Sequence, residues 1–154
     1  MTGSKPEKAA TGEPPPPGAG VRRASWAGTA VFVVTAVAAD VAPSTFEAVA
    51  LAVAAFLFVA GCAVFFWSFL LMAGRSRTAR LELAQVYFLA GPPTPSSVRR
   101  SLLAAFAVQV VAALATAGIR PYTSLAAGVL VPMYGLALCG LWATRHGAFP
   151  PRTG

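Results

Sequence analysis

The chain has 154 residues, 56% of them apolar and 11% charged, with a mean hydropathy of +0.67, whereas a soluble domain carries about 25% charged residues. A soluble fold is all but excluded. The net charge of +7 and pI near 10.5 would point to nucleic acid in a soluble protein, but here the basic residues sit at the ends of long apolar blocks, where they report membrane topology. The expected class is all-α, a membrane-spanning four-helix bundle with both termini cytoplasmic.

Residues 1–20 are rich in Pro, Gly, Ala and Thr, with Lys5 and Lys8 offset by Glu7 and Glu13, and Pro14 to Pro17 can form neither a helix nor a ladder. This stretch reads as a disordered cytoplasmic tail with a short polyproline II segment, a solvated spacer before it is a ligand for a proline-binding module. A cleaved signal peptide starts with a charged region, whereas about twenty polar residues precede Arg22 and Arg23, so the first apolar block is expected to stay as an anchor.

The first span is predicted over 21–41, a length that at 1.5 Å per residue matches a hydrocarbon slab of about 30 Å. Pro43 ends it, Ser44 or Thr45 can cap the next helix, and Glu47 suits the positive end of that helix's dipole. The second span, over 46–74, has no charge from Ala48 to Gly74. It exceeds the slab and so should tilt, or extend toward Arg75, Arg77 and Arg80. Residues 79–90 interleave Leu81, Leu83, Val86, Tyr87, Phe88 and Leu89 with Arg80, Glu82 and Gln85. An interfacial helix and a continuation of the second span compete for this stretch, and Gly91, Pro92, Pro93 and Pro95 stop either one.

The third span, over 98–118, is capped by Ser96 or Ser97 and closed by Arg120 and Pro121. Arg99 and Arg100 oppose the dipole at its start, and lipid phosphates explain them better. The fourth span covers 123–144, with Tyr122 and Trp142 expected as interfacial aromatics at its two ends. Residues 147–154 form a short cytoplasmic tail. With four spans, every basic residue except Arg120 falls on the side of the termini, while Asp40 and Glu47 flank the first turn on the other side. The charge asymmetry puts the termini and the central loop in the cytoplasm. Arg22, Arg23, Arg75, Arg77, Arg80, Arg99, Arg100 and Arg145 are then expected to touch anionic lipid headgroups.

The inventory for chemistry is thin, and no catalytic residue, cofactor or metal site is expected. His146 sits beside Arg145 with no neighbouring carboxylate, which favours a solvated helix-end residue over a base. Cys62 and Cys139 lie within spans, lack a CxxC partner and read as small packing residues. Asp40 and Glu47 resemble intramembrane acids only superficially, since both lie at the rim. Arg120, on the same side, is expected to pair with one or both and tie the two hairpins together. Gln109, near the middle of the third span, must find an interhelical partner, with Thr35, Ser68 and Tyr134 as the candidates. Pro132 removes a donor in the fourth span and frees a carbonyl that Tyr134 can satisfy. Ser124 and Gly128 make a small-residue face, and Phe65, Phe66, Trp67 and Phe69 read as bulk facing lipid or core.

The segment PMYGLALCGLWATRHGAFPPR, Pro132 to Arg152, resembles the end of short four-span integral membrane proteins of high-GC actinobacteria with no assigned function. The Ala, Val, Gly and Arg bias agrees with such genomes. The resemblance implies a bacterial plasma membrane and transfers no activity and no site residue.

The leading expectation is a small non-catalytic membrane protein, an accessory or scaffolding subunit of a larger envelope or transport complex, associating with other membrane subunits or with itself. The alternative is a small dimeric transporter or channel. Four-span multidrug exporters are of this size, but they carry a carboxylate deep in the first span, where this chain has Asp40 at the outer edge. A lipid-modifying enzyme ranks third and nucleic-acid binding last.

Overall fold

The computed structural model describes residues 18–75, 86–89, 94–119 and 121–147. These are helical throughout apart from short connections. Helix α1 covers Ala19–Val41, α2 Pro43–Arg75, α3 Ser96–Ile119 and α4 Pro132–His146, with a 3₁₀ segment at Ser124–Leu130 leading into α4. Among the described residues four helices are long and apolar enough to cross a membrane, the fourth running Leu125–His146 across the 3₁₀ segment and α4.

The boundaries follow local chemistry. Helix α1 starts two residues before the predicted span, at Ala19, after Gly18 takes a left-handed φ of 79°. Only Ala42 separates α1 from α2, and its carbonyl accepts the N–H groups of Thr45 and Phe46 at 3.1 Å. Pro43 fits as the first residue of α2 because the N–H it lacks would have no partner there. Ser44 and Thr45, expected as caps, therefore lie inside the first turn. At α3 the Pro95 carbonyl accepts from Val98 at 3.0 Å and Arg99 at 3.1 Å, which draws Ser96 and Ser97 into the helix in the same way.

The predicted fourth span is not one uniform helix. It begins as the 3₁₀ segment, and Pro132 stands at the first turn of α4. Pro132 cannot donate to the preceding turn, so the tighter winding ends where the proline begins. The sequence reading placed a missing donor and a freed carbonyl here. The structure has a change of helix type, with Val131 N bonded to the Gly128 carbonyl at 3.0 Å and Tyr134 N to Val131 at 2.9 Å.

The core is stacked in three layers along the bundle. Ala39, Ala50 and Leu125 form the first, and Phe32, Ala36, Ala54, Leu57, Ala113 and Val131 the second. Met72, Val86, Tyr87, Leu89, Val98, Leu102, Cys139, Trp142 and Ala143 form the third. Helix α2 packs most extensively on α4, and α1 and α4 lie between α2 and α3. This up-and-down order gathers Arg22, Arg23, Arg75, Arg99, Arg100 and Arg145 at one end, the basic end, and leaves Asp40 and Glu47 at the other.

Candidate functional site

Among the described residues a polar seam joins α1 to α3 across the bundle's interior, and it begins with spacing. Ser25 and Thr29 lie one turn apart on the buried face of α1, and Gln109 takes the matching place on α3 in the stripe Leu102, Ala105, Gln109, Ala113, Thr116. All three seam side chains are almost wholly enclosed. Gln109 Nε2 donates to Thr29 Oγ1 at 2.7 Å, and the Thr29 hydroxyl donates to the Ser25 carbonyl at 2.8 Å. Gln109 Oε1 and Ser25 Oγ have no hydrogen-bond partner.

Gln109 thus does find an interhelical partner, but not one of the three expected. Thr35 and Ser68 turn their hydroxyls back on their own helices, to Val31 and Phe32 and to Val64, as hydroxyl residues do where no partner is in reach. Tyr134 bonds elsewhere. Its hydroxyl donates to the Ala24 carbonyl of α1 at 3.0 Å and does not serve the carbonyl released at Pro132. The i, i+4 spacing of Ser25 and Thr29 was the signal in the sequence that could have found the true partner.

Glycines make the seam possible. A Cβ at Gly135 would stand 2.6 Å from Gln109 Oε1, and one at Gly28 2.5 Å from Cε1 of Tyr134. At Gly61 a Cβ would meet the backbone N and Cα of Tyr134 at 2.7 Å. Tyr134 is therefore a wedge, seated on Gly61 of α2 and pressed against Gly28 of α1. Thr29→Val and Gln109→Leu are expected to couple by about 0.6 kcal/mol in a double-mutant cycle of thermal unfolding in detergent, the usual size for such bonds in a membrane interior; additivity would mean the bond contributes nothing.

A second cluster closes the basic end. Of the segment predicted over 79–90, residues 86–89 are described. Val86, Tyr87 and Leu89 are buried among Met72, Leu102 and Trp142, while Phe88 is exposed. The Tyr87 ring stacks on Phe65 with centroids 4.9 Å apart and covers Gly140, where a Cβ would lie 2.5 Å from Cε1. Burial pushes the Tyr87 phenol above its ordinary pKa, and its hydroxyl has no hydrogen-bond partner. Tyr87→Phe should therefore leave the unfolding temperature unchanged or slightly raised, since an unpartnered buried hydroxyl contributes only a desolvation cost; Tyr87→Ala should lower it. Trp142 corrects a second expectation. It is 1% exposed and belongs to the core, not to an interfacial belt, with His146 stacked on it at 5.6 Å.

The remaining sequence-derived residues are dispersed. Arg23, Arg99, Arg100 and Arg145 are exposed and Arg22 is half-buried, all at the basic end with Arg75. Asp40 and Glu47 are half-buried at the opposite end. Arg77, Arg80 and Arg120 lie outside the described residues, as do the tail over 1–17 and residues 148–154, so the pairing expected of Arg120 falls there too. Cys62 and Cys139 are free thiols. Among the described residues no three His, Cys, Asp or Glu side chains gather closely enough to hold a metal ion.

The arrangement can therefore fix helices against one another. Comparison with known proteins returns no matching family model, no similar curated protein and no similar solved structure, so its own residues carry any functional reading of this multi-pass membrane protein.

Proposed function

We propose that the chain is a non-catalytic subunit that scaffolds or assists a larger envelope or transport complex in a bacterial plasma membrane, with both termini in the cytoplasm. One observation carries the reading: among the described residues, the two interior polar side chains that reach beyond their own helices, Gln109 and Tyr134, are spent on bonds from helix to helix. Gln109 reaches Thr29, Tyr134 reaches Ala24, and among the described residues no Lys, Arg, Asp or Glu is buried in the core. In the half of the bundle beyond the seam, Phe32, Ala36, Ala54, Thr116, Leu125 and Gly128 leave a void of about 10 Å³, room for no more than one water. Transport sites, by contrast, place ionisable groups near mid-membrane.

The test is affinity capture of the full chain in mild detergent, followed by mass spectrometry of what elutes with it. A stoichiometric membrane partner is expected. A monodisperse homo-oligomer that moves protons or substrate after reconstitution, and stops with Asp40→Asn, would replace this reading with the dimeric transporter. Reporter fusions at the amino terminus and after His146 should both report cytoplasm.

A further inference from the structure

The seam's wedge has an outward consequence. Because Tyr134 sits between α1 and α2, bonded to Ala24 and seated on Gly61, the two helices cannot close on each other in front of it. They leave a groove of about 680 Å³ with Tyr134 at its floor. One wall is Ala24, Ala27, Gly28 and Val31; Ala48, Ala52 and Phe56 belong to the other. The tyrosine hydroxyl is already committed to a carbonyl, so whatever lies in the groove must be apolar along its length.

We propose that this groove binds one anionic phospholipid, with an acyl chain along the groove and the phosphate on Arg23. Three features select that occupant. The first is depth: Arg23 to Val31 rises roughly 12 Å at 1.5 Å per residue, close to the roughly 15 Å of one leaflet's hydrocarbon. The second is register. Arg23 stands one turn before Ala27 and two turns before Val31; it is exposed and, without itself lining the groove, immediately precedes Ala24, the groove residue of α1 nearest the basic end. Arginine matches phosphate oxygens with paired donors.

The third is the contrast with the other end of α1. A second apolar groove of about 500 Å³ runs along Val33, Val37, Val41 and Phe46. There the charged neighbours in sequence are Asp40 and Glu47, of the sign that repels a phosphate. Glu47 also precedes Ala48, at the far end of the first groove's α2 wall, so both grooves have an acid near the Ala42 corner, and the first differs by the cation Arg23 beside Ala24 at its opposite end, where an anionic headgroup is complemented. The proposal requires that the chain span a membrane and does not depend on its being a subunit of a complex.

Native mass spectrometry of the full chain in mild detergent tests it, with phosphatidylglycerol and phosphatidylcholine of identical acyl chains as the probes. The wild type should retain one phosphatidylglycerol and prefer it about fivefold, the effect of one cation near a membrane surface. Arg23→Gln should bind the two lipids equally. Ala52→Trp, which fills the groove from an exposed wall position, should lose both; if that variant does not elute as a folded species, Arg23→Gln still decides. Equal retention of both lipids by the wild type, or an unchanged preference in Arg23→Gln, would overturn the proposal. So would oxidative cross-linking of Ala52→Cys to a second copy or to another protein in membranes, since a helix would then occupy the groove.

Discussion

Gly61→Leu is expected to prevent the bundle from assembling, and Gly61→Ala to destabilise it by about 1–3 kcal/mol, the range for forcing extra carbon into a packed interior. The position is unusual because the obstacle is main chain. The added Cβ would lie 2.7 Å from N and Cα of Tyr134 and 3.0 Å from the Met133 carbonyl carbon, and none of these can rotate aside as a side chain would. Helices α2 and α4 would have to part along their largest shared surface. The displacement would reach the seam, since residue 134 also holds the Ala24 carbonyl. Gly74→Ala is the control: it lies in the same helix, its Cβ would meet nothing within 4 Å, and the change should be neutral or mildly stabilising. Unfolding temperatures in detergent, read by size-exclusion chromatography after heating, check both; equal behaviour of Gly61→Ala and Gly74→Ala would refute the close approach.

Trp142→Ala should cost more than any other single truncation, about 3–5 kcal/mol. Trp142 heads the largest fully buried side chains, and Met72, Val86, Leu89 and Leu102 surround it in the layer at the basic end. Gly18 stands against its indole edge, where a Cβ would collide, so the start of α1 is fitted to the same ring. Removing the ring takes support from residues 86–89 and from the first turn of α1 together. Limited proteolysis should then cut near Leu89 faster than in the wild type. His146→Ala, which deletes only an exposed stacking partner, should change little.

The four helices were legible because each is a run nearly free of charge and longer than a soluble helix needs, and α2 follows from the gap between Glu47 and Arg75 alone. What the sequence hid was rotation. A span with apolar residues on all sides carries no stripe to show which face turns inward. Gln109 could be placed at depth but not aimed, and its partner went to Thr35, Ser68 or Tyr134 when the packed phase of α1 presents Thr29. Trp142 misled for a related reason. Aromatics near a span's end favour the interface, yet Val86, Tyr87 and Leu89 fold over this one and extend the core beyond the expected slab. Pro132 announced an irregularity correctly, but its form depends on how tightly the preceding residues wind. The wedge at Tyr134 needs Gly28 and Gly61 opposite it, two positions 33 residues apart whose meeting only the packed bundle reveals.

The single residue Ala42 between α1 and α2 bears on biogenesis. A corner that short offers no segment that can wait in water while one arm crosses the bilayer and the other does not. The first two helices should therefore enter the lipid as a preassembled hairpin. A flexible glycine-serine insert after Ala42 should uncouple their entry and leave a fraction of molecules with α2 stranded on the wrong face.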